Sequence, residues 1–128
     1  MIEFLVVGIG GFIGCCFRFA ITKLFIPLPL QFPIATLISN IIAGFFIGFI
    51  TELEKDAGWI SPKMKLFLAT GLMGGLSTFS TFSLETIKLF SQSKYIVALG
   101  NILLNVSLSF LGVMLGMLTV KILFRKTV

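Results

Sequence analysis

Four stretches of the chain, residues 4–26, 33–51, 63–90 and 95–124, are almost wholly apolar, and only short links separate them. About 20 such residues are what an α-helix needs to cross the hydrocarbon core of a bilayer, so four runs of that length leave little over for a water-soluble domain. Composition agrees, with 57% of the 128 residues hydrophobic, 12% charged and a mean hydropathy of +1.11. The sequence therefore predicts an all-α integral membrane protein, a single transmembrane domain over residues 1–128 with four helices. Its chemistry must be done by polar groups placed inside the bilayer.

Prolines and charges mark the helix ends. Pro27 and Pro29 stop the first helix, because proline has no N–H and biases the residue before it toward extended backbone. Pro33 opens the second as a tolerated first-turn proline, and Glu52-Leu53-Glu54-Lys55-Asp56 marks water at its far end. Ser61-Pro62 reads as the cap and first turn of the third, with Trp59 at the headgroup boundary. The N-terminal run lacks a basic leader and carries Arg18, so it is expected to remain as a helix and not to be cleaved. Lys55, Lys63, Lys65, Lys121, Arg125 and Lys126 fall on one side of the membrane and Lys23, Lys88 and Lys94 on the other, a bias small enough to permit insertion in both orientations.

Several function classes find no support. The chain has no histidine, and Cys15 and Cys16, adjacent in a helix, read as packing residues and not as a disulfide or a zinc site. No histidine base, nucleophile motif or phosphate loop accompanies the apolar runs, and the only acid well inside a predicted helix is Glu85, so no enzyme is expected. The net charge of +5 comes from lysines flanking the membrane, not from a basic run able to bind nucleic acid.

Polar residues at membrane depth are costly and so informative. In the first helix Gly10, Gly14, Arg18 and Thr22 share one face; the arginine either snorkels to the interface or attracts and orients an anion. Asn40, followed by Gly44 and Gly48 on its own face, either glues helices together or presents a carboxamide to a solute. Asn101, Asn105 and Ser109 stand four residues apart in the last helix, either a polar track or three separate contacts. Most specific is Gly74-Gly75-Leu76-Ser77-Thr78-Phe79-Ser80-Thr81-Phe82, a diglycine and a run of hydroxyls that predict a break in the third helix near residues 74–78. Carbonyls exposed by such a break can hold a cation, and the edges of Phe79 and Phe82 carry partial positive charge suited to a small anion.

Three of these segments together resemble the Fluc (CrcB) family of fluoride channels, over essentially the whole chain. They are Gly10-Gly11-Phe12-Ile13-Gly14-Cys15-Cys16-Phe17-Arg18, Thr36-Leu37-Ile38-Ser39-Asn40 through Gly48, and Gly74 through Phe82. The resemblance implies passive export of fluoride across the cell (inner or plasma) membrane by an antiparallel, inverted homodimer with two pores and a structural sodium ion at its centre. It further implies that backbone carbonyls of Gly74 and Ser77 bind the sodium and that Phe79, Phe82, Asn40, Ser80, Thr81, Asn101, Asn105, Ser109 and Arg18 serve the fluoride path, Asn40 as a donor to the ion. Asn101 departs from the family, which often has tyrosine there, and some members pair two non-identical subunits, so a heterodimer with a paralogue is a further implied partner. Two other functions compete: a small multidrug-type cation transporter, which would want an acid in the first helix where Arg18 stands, and a non-conducting membrane assembly subunit.

Overall fold

The computed structural model describes residues 1–124, with the backbone alone at Asp56 and Ala57; Arg125 and Lys126, two of the cations assigned above to one side, lie outside it. The chain forms α1 (Ile2–Phe25), α2 (Ile34–Ala57), α3 (Pro62–Lys65), a π-helical stretch (Leu66–Met73), α4 (Gly74–Leu76), α5 (Phe79–Ser91) and α6 (Tyr95–Leu123). The stretch from α3 to α5 is one interrupted span, Pro62–Ser91, and with α1, α2 and α6 it makes four helices long and apolar enough to cross a membrane. The expected all-α, four-span architecture with a break in the third helix is therefore the one observed.

Local chemistry explains most of the ends. The Ser61 side chain accepts from Met64 N–H at 3.2 Å, with Pro62 in the first turn of α3. Gly58, at φ 62°, closes α2 in the left-handed conformation that glycine adopts without strain, and its N–H reaches Glu54 carbonyl. The second helix thus runs about six residues past Thr51, where the acidic-basic run was expected to meet water. Glu52 is 1% exposed, the opposite of a solvated residue. Lys121 Nζ lies 3.4 Å and Lys55 Nζ 3.8 Å from its Oε1, so the carboxylate is buried with two cations beside it. Beside this end of the bundle the Trp59 and Phe124 rings meet edge-on at 5.0 Å, and Trp59 stays largely exposed.

Lipid tails are as apolar as leucine, so helices here associate through close backbone packing. Gly10 and Gly14 are buried against the π-helical stretch; a Cβ on Gly14 would land on the Leu72 carbonyl oxygen. Gly116 meets the Phe45 carbonyl in the same way, which brings α6 against α2. The interrupted span changes neighbour at its break: the residues before it pack on α1, whereas α5 packs on α6.

Two substitutions test this packing. Gly14→Ala should destabilise the protein by about 1–3 kcal/mol or more through overpacking, whereas Gly8→Ala, where a Cβ meets nothing within 4 Å, should be neutral or slightly stabilising. Unfolding in detergent micelles measures both; equal effects would mean that close approach at Gly14 is not what holds α1.

Candidate functional site

The break consists of two extended residues. Ser77, just past the end of α4, has ψ 155°, and Thr78 follows at φ −153°, ψ 116°. An extended pair interrupts the pairing of each N–H with the carbonyl four residues back, and at membrane depth each released N–H needs another acceptor. Side chains supply one for two of the four N–H groups released at residues 78–81. Thr78 N–H donates to Asn40 Oδ1 at 2.8 Å, and Thr81 N–H donates to Thr78 Oγ1 at 3.2 Å, which makes Thr78 the N-cap of α5. In an unbroken helix those two N–H groups would have met the carbonyls of Gly74 and Ser77. Among the described residues neither carbonyl gains a backbone donor in exchange. Gly74 is itself exposed, and a Cβ there would meet nothing within 4 Å, so its lack of a side chain serves no contact among the described residues. Gly75, by contrast, packs on the Gly11 carbonyl.

Behind the break lies a continuous set of hydrogen bonds. Asn40 Nδ2 donates to Asn105 Oδ1 at 2.9 Å and more weakly to the Thr78 carbonyl at 3.4 Å. Asn105 Nδ2 donates to Asn101 Oδ1 at 2.8 Å and to the Asn101 carbonyl at 3.1 Å, and Asn101 Nδ2 to Thr86 Oγ1 at 2.9 Å. Asn101 and Asn105 are both buried, so burial of their amides is matched by partners.

A groove of about 500 Å³ opens in front of the break. It brings together Asn40, Gly74, Ser77, Phe79, Phe82, Asn105 and Ser109 among its lining residues. Ser80, Thr81, Asn101 and Arg18 are not among them: Ser80 and Thr81 sit beside the Thr78 hydroxyl, Asn101 lies behind Asn105, and Arg18 stays half-buried on α1 with Nη2 3.6 Å from Cys15 Sγ. The Phe79 and Phe82 rings lie 5.6 Å apart and tilted by 53°. Phe82 is buried and Phe79 is 80% exposed, an aromatic ring at the groove left uncovered among the described residues.

The hydroxyls divide into two kinds. Ser39, Ser83, Thr86 and Thr119 each donate to the carbonyl four residues back, which satisfies them within their own helices. Ser77 and Ser109 make no side-chain hydrogen bond among the described residues, and Thr81 Oγ1 accepts from Thr78 at 3.0 Å, leaving its own O–H without a protein acceptor. Ser77, Thr81 and Ser109 thus keep free O–H groups at the break and its groove, although hydroxyls elsewhere, such as Thr70 and Ser107, are also without a partner among the described residues. Sequence reading missed Thr86, whose hydroxyl anchors the amide chain, and the capping role of Thr78; the signal for Thr86 was its place four residues after Phe82 in a span whose hydroxyls otherwise cluster at the break. It also gave no partner to Glu85, which accepts from the Thr36 hydroxyl at 2.8 Å and ties the start of α2 to α5.

A family model described as CrcB-like protein, Camphor Resistance (CrcB), matches residues 5–117. The chain belongs to the CrcB family. Among its relatives, the fluoride-specific ion channel FluC of Clostridium perfringens is 46% identical over 122 residues, which cover 94% of this chain and 94% of that protein. The protein of the same name from Ruminiclostridium cellulolyticum is 44% identical over 122 residues, again 94% of each chain. That of Paraburkholderia phymatum is 40% identical over 124 residues, 97% of this chain and 98% of the other. This CrcB protein is a multi-pass membrane protein, and all three segments on which the resemblance rested lie inside the match.

In this CrcB chain Thr78→Val should cost about 1–2 kcal/mol, the loss of an N-cap, while Thr78→Ser should keep most of the stability. Chemical unfolding in micelles distinguishes them; a valine variant as stable as the parent would show that Thr81 N–H needs no side-chain cap.

Proposed function

We propose that the chain is a fluoride channel, not an enzyme, that lets fluoride leave the cytoplasm passively, as a homodimer of oppositely oriented copies with two pores and a structural sodium ion between them. The observation that carries this reading is identity of 40–46%, over at least 94% of the chain, to proteins named fluoride-specific ion channel FluC. The chemistry at the break supports it. Moving even a carboxylate-sized ion into a medium of low dielectric costs on the order of 20 kcal/mol in the idealised limit, and a smaller ion costs more, so replacement donors must follow the ion along its path. The O–H groups of Thr81 and Ser109 and the positive edges of Phe79 and Phe82 are donors of this kind, while the Ser80 O–H is turned to Thr78 Oγ1. None is a full cation, and several moderate interactions hold an ion without trapping it. Arg18, the one cation at depth in α1, stands off the groove lining, where its charge can draw anions toward the mouth.

Sodium suits the other half of the break. A hard cation takes oxygen ligands, and Gly74 and Ser77 carry carbonyls whose helical donors have been diverted to Asn40 and Thr78. Bound there it would neutralise carbonyl dipoles, and a second copy facing the first would double the set of oxygens. The bare face of Gly74 and the uncovered Phe79 ring are what a partner at the groove would meet.

Proteoliposomes loaded with fluoride or chloride provide the test, with efflux followed by ion-selective electrodes. Fluoride should escape and chloride should stay; equal efflux of the two, or none of fluoride, would sink the proposal. Phe79→Ile and Phe82→Ile should each slow fluoride efflux by about tenfold, the effect of about 1.4 kcal/mol on a barrier, with the dimer still intact by size-exclusion chromatography.

A further inference from the structure

The end of the bundle where α2 and α6 emerge holds charges that the groove at the break does not use. Glu52 is buried there, with Lys121 Nζ 3.4 Å and Lys55 Nζ 3.8 Å from its Oε1. Neither ammonium makes a hydrogen bond to that oxygen, so the carboxylate draws both in without using up their donors. Both lysine side chains are more than half exposed. One carboxylate balances only one of two cations, and among the described side chains a unit of positive charge is left at this point. The neighbouring pair, Lys65 with Glu54 at 2.6 Å, balances itself. Two ammoniums held on one buried oxygen place outward-facing donors side by side, which suits a phosphate whose oxygens can accept from both.

The surface below this pair is apolar and shaped. Leu111, Leu115, Leu118 and Ile122 recur on one face of α6 and all four are exposed; Lys121 adjoins the end of the stripe. At its deep end Leu111 and Leu115 line one side of a groove of about 400 Å³, and Ile41, Phe45 and Phe46 of α2 line the other. No polar side chain lines this groove, and it shares no residue with the one at the break. From Lys121 back to Leu111 is ten residues, about 15 Å of helix. That is half of a hydrocarbon core about 30 Å thick, the depth of one leaflet. We infer that a phospholipid with a negatively charged headgroup binds here, its phosphate on Lys55 and Lys121 and an acyl chain laid along Ile122, Leu118 and Leu115 into the groove. A soluble anion gains nothing from the groove, and a zwitterionic lipid brings its own cation to a place already positive. Glu52 is the residue that holds the two lysines together. The inference is independent of which ion the protein carries.

Trp59 is the one tryptophan of the chain, and its ring meets Phe124, three residues past Lys121, so its fluorescence reports on this site. The test uses phosphatidylcholine nanodiscs doped with lipid brominated near the top of its acyl chains. Brominated phosphatidylglycerol should quench Trp59 at about fivefold lower mole fraction than brominated phosphatidylcholine, the effect of one uncompensated lysine near the surface. Equal quenching by the two lipids overturns the proposal. Lys55→Gln, a change at an exposed side chain that leaves Glu52 beside Lys121, should bring the two lipids to parity. Lys63→Gln, at an exposed lysine of the same end with no ion pair among the described residues, should keep the preference. Equal loss in both variants would assign the preference to diffuse charge and overturn the site. Water-soluble glycerol phosphate, which has the headgroup chemistry without the chains, should not relieve the quenching; relief at millimolar concentration would mean that the site takes soluble anions, and would overturn the lipid assignment.

Discussion

Backbone at membrane depth has no water to fall back on, and every unpaired N–H or carbonyl there costs several kcal/mol. A helix can be opened inside a bilayer only where side chains replace the lost partners. The contact between Thr78 N–H and Asn40 Oδ1 is that replacement here, and much of the molecule is arranged to deliver it. α2 must bring residue 40 to the break, and α6 must bring Asn105 up behind it. The glycine contacts between α2 and α6 let the two backbones approach closely enough for both to reach. The diverted bonds are also what leaves the carbonyls of Gly74 and Ser77 with capacity to spare.

The break has two unlike sides. Carbonyls turn toward a cation, while hydroxyl protons and ring edges suit an anion, and both sets arise from one interruption of a helix. Formal charge is kept away: the salt bridges of the described residues lie at the end of the bundle where α2 and α6 emerge, with Glu52 buried between Lys55 and Lys121. An ion at the groove would therefore meet dipoles and not counter-charges, which favours passage over retention.

Much of this was legible in the amino-acid order. Four long apolar runs and the prolines at 27, 29 and 33 specify spans and ends because the bilayer allows so few alternatives. The diglycine and hydroxyl run pointed to the break for the same reason. Other features depend on partners far away in sequence. Lys55, three residues on, does not announce the burial of Glu52, and the nearer of its two cations, Lys121, is 69 residues away. The spacing of Asn101, Asn105 and Ser109 suggested a single track, yet only Asn105 and Ser109 reach the groove; Asn101 is turned to Thr86, a neighbour that no periodicity within α6 reveals. The π-helical stretch before the break was equally unreadable; it packs on Gly10 and Gly14 of α1, far away in sequence.

The change of neighbour at the break gives the bundle a mechanical character. Ahead of Ser77 the third span is part of a pair with α1; after Thr78 it is part of a group with α6, which is itself locked to α2. The two groups also touch where α2 meets the π-helical stretch and α1, so the crossing at Ser77 and Thr78 is braced from both sides. The groups that face the groove are carried on that crossing, and a change in the packing of either partner would reach them.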